Sequence, residues 1–258
     1  MKKIFLFFTF FLAGQFAFAL AFNCDAHFVQ GKAPEFINQK LAVRAVPLCF
    51  ESYAVMHSGL SRTPLWAAEH LTANHIAETE MIKRNNTFHS ERRLPADDRA
   101  ELKDYAHSGY DRGHMAPSGD MPNKNAQYES FSLANMIPQN PNNNQNLWAG
   151  IEDSVRKFAK YRGELYVITG PIFDGSSVER INFRVLVPSE IFKAIYDPVD
   201  QAAAAYIAPN ARGSAYQVIS IADLEKRIGI NLFPALDARS KEVAMELPEP
   251  RPHGRKLR

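Results

Sequence analysis

The run Tyr110-Asp111-Arg112-Gly113-His114-Met115-Ala116-Pro117 sets a carboxylate, a guanidinium and an imidazole within four residues. That set can move a proton and hold an anion at once. Histidine's ordinary pKa near 6.5 leaves a neutral fraction at pH 7, so His114 can accept a proton from water. By itself the cluster also fits a turn with a local Asp111 to Arg112 contact and a solvated histidine. Other site chemistries are missing. The chain has no G-x-S-x-G elbow, no Walker-type phosphate loop, no G-x-G-x-x-G and no H-E-x-x-H. His57, His70, His75, His89 and His107 show no ligand spacing and read as structural or surface residues.

A second polar segment follows, with "NMIPQ" at residues 135–139, an asparagine-rich stretch to Asn146, and an N-x-x-x-W-x-x-x-E pattern at Asn144, Trp148 and Glu152. Together with "YDRGHMAP", these motifs closely resemble the DNA/RNA non-specific endonucleases of the ββα-metal superfamily. "KRNNTF" at 83–88 with "SERRLP" resembles that family's arginine segment. "YVITGPIF", "VPSEIFKAIYD" and "IADLEKRIGINLFPAL" resemble its later strands and helix. The likeness covers roughly residues 49–236.

The resemblance implies a role for each matched position. His114 would be the general base on water, and Asn144 the protein ligand of a hydrated Mg²⁺, with Mn²⁺ the alternative ion. Arg84 would stabilise charge on the phosphate, Arg112 would orient the site, and Glu152 would hold the metal's waters. DNA and RNA would be the substrates, cut without sequence preference to leave 5′-phosphates. Arg92, Arg93 and Arg99 compete with Arg84 for its role, because spacing to Asp111 depends on a loop. Each residue also has a plainer reading. Asn144 could cap its helix, and Glu152 could pair with Arg156 at i+4. Trp148 lies on an apolar stripe and is assigned to the core. In a regular helix, residues eight apart are separated by about 12 Å along the axis and about 80° around it. Glu152 is therefore expected to act through water, unless Asn144 precedes the regular turns. Two rival functions remain open: a phosphodiesterase of the same fold acting on small phosphate esters, and an exported nucleic-acid-binding protein without turnover.

The elements that must carry these residues can be read from periodicity. Residues 165–169, 182–187, 191–196, 203–208 and 216–219 are short β-rich runs bounded by turn residues, and read as a mostly antiparallel sheet. Residues 146–161 carry apolar side chains at helical spacing and stop at Gly163. A second helix covers about 222–228, with Ser220 and Asp223 as a capping pair and Gly229 at its end. Residues 64–71 are ambiguous between strand and helix. Strands and helices mixed without regular alternation imply an α+β fold, with a mostly antiparallel sheet flanked by helices and, from the resemblance, a ββα-metal motif.

Composition sets the frame. The chain has 258 residues, 46% hydrophobic and 22% charged, the balance of a globular protein. Its net charge of +2 is unevenly spread. Without Lys2 and Lys3 at the start and Arg251, Arg255, Lys256 and Arg258 at the end, 24 basic groups face 28 acidic ones. Bulk charge thus gives no case for nucleic acid; the site itself must supply the field. Residues 1–21 read as a signal peptide: a basic start, an apolar run and a small-residue segment ending at Ala21. The rival reading is an uncleaved anchor. The expectations are a periplasmic or secreted protein with no stable membrane anchor after cleavage, one domain over 22–245, and a basic disordered tail over 246–258. Cys24 and Cys49, the only cysteines, are expected to form a disulfide, since an exported chain meets an oxidising compartment.

Overall fold

Neighbouring residues of a strand point to opposite faces, so a strand covered on both sides reads as a continuous apolar run. The computed structural model, which describes residues 24–175 and 178–252, turns such runs into one large sheet. In chain order its first strands are β1 (Ala45–Cys49), β2 (Ala54–Ser58) and β3 (Thr63–Thr72). A separate two-stranded ribbon, β4 (Asp111–His114) and β5 (Met136–Gln139), follows. The large sheet then resumes with β6 (Glu164–Ile172), β7 (Glu190–Asp197), β8 (Ala202–Pro209) and β9 (Gln217–Ile219). Its order is β9-β8-β7-β6-β3-β2-β1, and every neighbouring pair is antiparallel. The four longer helices are α1 (Ala73–Thr79), α2 (Lys124–Ser130), α3 (Ala149–Arg162) and α4 (Ile221–Ile228). The fold is α+β, as expected.

The ambiguous stretch 64–71 is the inner strand β3. It is bonded to β2 on one side and β6 on the other, which leaves its backbone no freedom to coil. On β3, Ala67 and Leu71 face one side and Trp66 and Ala68 the other; on β7, Ile191 and Ile195 oppose Phe192 and Ala194 in the same way. Against the first face lies α3, through Ile151, Val155 and Ala159, with Trp148 fully buried just before it. Against the second lie Ile221 and Leu224 of α4 and the N-terminal segment, where Phe28 meets the Trp66 ring edge-on at 5.9 Å. Ser220 caps α4 by accepting from the Asp223 amide, and Gly229 closes it in the left-handed conformation at φ 72°. Cys24 and Cys49 are disulfide-bonded with their Cα atoms 5.8 Å apart, tying the N-terminal segment to the end of β1.

Three expectations need correction. Residues 182–187 are not one continuous strand, and only Val185–Leu186 is extended and paired. Asn182 and Phe183, at φ 47° and 56°, form the turn between the two-residue strands Arg180–Ile181 and Val185–Leu186. The helix expected from residue 146 begins as a π-helical turn, Asn143–Trp148, and becomes regular only at Ala149. The tail expected to be disordered from residue 246 lies, as far as residue 252, against the body. Leu247 packs on the core, Tyr206 Oη donates to the Pro248 carbonyl, and the Arg251 backbone crosses α3 at Gly150, where a Cβ would collide with it. Tyr206 and the glycine gap hold this segment in place of helical or strand pairing. The expected signal peptide, 1–21, lies outside the described residues, as does the tail beyond residue 252. Among the described residues no helix is long and apolar enough to cross a membrane.

Candidate active site

All five residues singled out from the sequence line one cleft of about 450 Å³, bounded by β4, the first turns before α3 and the Arg84 loop. One strand of the ribbon, a helix with the turn that opens it, and a loop therefore carry the site, and local packing sets each position. Strand β4 pairs with β5 so that His114 lies opposite Met136 and Asp111 opposite Gln139. The Gln139 side chain folds across the ribbon over Gly113, where any Cβ would overlap it. The bend after His114 is fixed by Asn135, which accepts from the Ala116 amide at 2.9 Å and donates to the carbonyls of Ala116 at 2.8 Å and Ser130 at 2.9 Å.

His114 is buried, not solvated, and its ring is wedged between Phe131, edge-on at 4.9 Å, and Phe88, tilted at 5.7 Å. Its Nε2 is buried with no hydrogen-bond partner. The same two aromatics carry the guanidiniums: Arg112 lies 4.1 Å from the Phe88 ring and Arg84 5.3 Å from that of Phe131. A ring face holds a cation without neutralising it, so both positive charges stay directed at the cleft. Burial first, then Arg84 and Arg112, hold the His114 pKa down to about 3. The imidazole is therefore neutral throughout the physiological range. Of the competing arginines, Arg93 is bound to Glu91 and Arg99 to Glu101, and neither lines the cleft.

Asp111 does not serve Arg112 as the local reading supposed. Its Oδ2 accepts from Asn144 Nδ2 at 2.8 Å and from Gln145 Nε2 at 2.9 Å. With its nitrogen tied there, the Asn144 amide turns its Oδ1 away from Asp111, and no described residue donates to that oxygen. The π-helical turn matters as well. In the wider i to i+5 spiral each residue rotates through less than the roughly 100° of a regular helix, which moves Asn144 towards the face that carries Glu152. Glu152 lies half-buried in the cleft wall and makes no hydrogen bond among the described residues. Its expected partner Arg156 is committed elsewhere, to Asp120 at 2.7 Å and to Asp153. Burial pushes the Glu152 carboxyl up to about 7; Lys193 and Arg156 pull it down, and Asp120 and Asp153 oppose them.

Three cleft groups therefore present polar atoms that the protein leaves unpaired: the His114 imidazole, the Asn144 amide oxygen and the Glu152 carboxylate. An amide oxygen fixed by a neighbouring acid, with a carboxylate one helical segment away, fits a hard divalent cation that retains most of its water. Among the described residues no three His, Cys, Asp or Glu side chains cluster as a ligand cage, so an ion held here would keep its water shell. Sequence reasoning missed Asp111 as the tether of Asn144, and Phe131 as a wall of the histidine. Asp111 stood inside the YDRGHMAP motif, whereas no local signal marks Phe131, which the fold brings in from just beyond the end of α2.

Comparison with known proteins follows the same line. The model of a family described as DNA/RNA non-specific endonuclease matches residues 34–239. The mitochondrial nuclease EXOG of Danio rerio is 32% identical over 208 residues, covering 72% of this chain and 60% of that protein. Nuclease C1 of Cunninghamella echinulata var. echinulata is 33% identical over 207 residues, covering 72% of this chain and 82% of that protein. The chain thus spans less than two thirds of the EXOG relative. Among solved structures, the crystal structure of the EndoG/EndoGI complex matches with a TM-score of 0.69 at 24% identity, over 81% of this chain and 96% of that one, a likeness of fold.

Proposed function

The chain belongs to the DNA/RNA non-specific endonuclease family, and from that premise we propose that it is an exported, Mg²⁺-dependent nuclease that hydrolyses phosphodiester bonds of DNA and RNA. The observation that carries this reading is the convergence of a neutral buried histidine, two unneutralised guanidiniums and two unpaired oxygen donors on one cleft.

In this reading Arg84 and Arg112 draw the phosphate diester into the cleft and stabilise the charge that grows on its oxygens during attack. His114 accepts the proton of the attacking water. Its low proton affinity in the free protein reflects burial and the two guanidiniums, and an incoming phosphate anion offsets the guanidinium part when the base is needed. Asn144, oriented by Asp111, and Glu152 would hold the ion with its waters. Bound Mg²⁺, or Mn²⁺ in its place, would supply Lewis-acid stabilisation of the phosphate and of the departing oxygen. Cleavage on the 3′-oxygen side leaves a 5′-phosphate. Contacts to phosphate and metal carry no base information, which accounts for the absence of sequence preference. The disulfide supports export, to the periplasm or the medium, where oxidised cysteines persist.

The test is hydrolysis of plasmid DNA, single strands and RNA by the protein lacking residues 1–21, with and without EDTA. EDTA is expected to abolish cleavage. His114→Ala should lower the rate by roughly 10²–10⁴, the usual worth of a general base. Full activity in a folded His114→Ala protein would sink the mechanism.

A further inference from the structure

A second depression of about 400 Å³ opens beside the catalytic cleft, and Arg84 forms a wall of both. Lys83 enters it from the arginine segment and Lys124 from the start of α2. Neither lysine has a carboxylate partner among the described residues. Gln127 closes one side by accepting from the Asn85 amide at 2.9 Å, which ties the arginine segment to α2. The remaining wall is Tyr128, half its surface exposed. One face of its ring lies flat on His89, 4.5 Å away and 7° from parallel. His89 is itself held, by its Nδ1 contact with the Thr87 carbonyl at 2.8 Å and by backbone bonds to Phe131 and Leu133. The tyrosine is thus a braced aromatic platform, and a base stacking on it would pay little ordering entropy.

We infer that this groove binds a single strand of nucleic acid, taking an unpaired nucleotide next to the phosphate under attack, its base on Tyr128 and its phosphates on Lys83 and Lys124. The chemistry selects a single strand because the bases of a duplex are stacked on one another and offer no free face to a side chain. Continuity through Arg84 places the groove along the path of the strand held in the cleft. The inference rests on the nuclease reading for its substrate class, but the groove can be tested without turnover.

The test uses His114→Ala protein, so that substrate is consumed only slowly, and fluorescence anisotropy with an oligothymidylate of about ten nucleotides and a hairpin duplex. Adding Tyr128→Ala should weaken single-strand binding about tenfold, within the range measured for loss of one stacked base, and at least five times more than duplex binding. Tyr128→Phe, which keeps the ring, should restore it. Lys83→Ala with Lys124→Ala should flatten the log–log salt dependence by about 1.4, two phosphate contacts at about 0.7 each. In protein with His114 intact, Tyr128→Ala should raise KM for single strands and leave kcat within twofold. Equal losses on single strand and duplex, no loss on either, or no single-strand binding by the starting protein would overturn the inference. Tyr128-dependent binding in a protein that never cleaves would uphold the groove and refute the nuclease proposal.

Discussion

Replacing Glu152 by Gln should make the protein more stable and less active at once. Burial in the cleft wall lifts this carboxyl from 4.5 to about 7, with Lys193 and Arg156 offsetting only part of the effect. The difference corresponds to roughly 3 kcal/mol at 1.36 kcal/mol per pH unit, and water reaching the cleft reduces it to about 2 kcal/mol. The folded protein keeps this proton up to about pH 7, whereas the unfolded chain releases it above 4.5, so folding takes up a proton between those values. The contribution to stability is therefore full below pH 4.5, lost as the pH rises to 7, and absent above. Glutamine mimics the protonated form and cannot ionise. Without divalent ions, Glu152→Gln should match the wild type near pH 4.5 and exceed it by about 2 kcal/mol above pH 8, roughly 5 °C in melting temperature for a domain of this size. Thermal and urea unfolding in EDTA at pH 4.5 and 8.5 reads this directly. A variant less stable than wild type at pH 8.5, or a gain equal at both pH values, would refute the idea that the carboxylate is held at a cost. Such a cost would belong to function, since a cation in the cleft would relieve it.

Three further outcomes follow from the same geometry. At limiting Mg²⁺, kcat/KM should fall about tenfold per pH unit below about 7 as Glu152 takes up its proton, and the limb should move to lower pH as Mg²⁺ is raised; a limb near 6.5 that ignores the metal would refute both this assignment and the lowered pKa of His114. Asp111→Ala frees the Asn144 and Gln145 amides and should raise the Mg²⁺ concentration for half-maximal activity about 10- to 100-fold, with little change in unfolding midpoint. Cys24→Ser should cost about 3 kcal/mol in urea unfolding, because the disulfide closes a loop of 25 positions, and reduction of the wild type should reproduce the loss.

The strands with plain apolar runs and the helix α4, with its serine cap and closing glycine, were legible because their signals are local: pleat alternation, a capping hydroxyl, a residue free to take positive φ. Residues 64–71 were not, because an inner strand buried on both faces loses the alternation that separates strand from helix. The run 182–187 misled for the opposite reason. Its composition is strand-like, yet Asn182 and Phe183 are turned into a hairpin by the ties of Asn182 and Arg184 to buried Asp104, 78 and 80 residues away. Residues 246–252 looked too polar to pack, and what orders them is a tyrosine hydroxyl on β8 and a glycine gap on α3.

For the site, the chemical groups are legible in one dimension: the base, the arginines, the amide and the carboxylate all stand in short motifs whose order the chain displays. Their protonation and orientation come from packing. The histidine is neutral because residues 88 and 131 bury it between two aromatic rings that also carry the guanidiniums. The amide keeps its oxygen unpaired at the cleft because an acid 33 positions earlier holds its nitrogen, and the carboxyl is lifted because its surroundings bury it. Burial and orientation are sums over neighbours distant in the chain, and no spacing along a sequence records them.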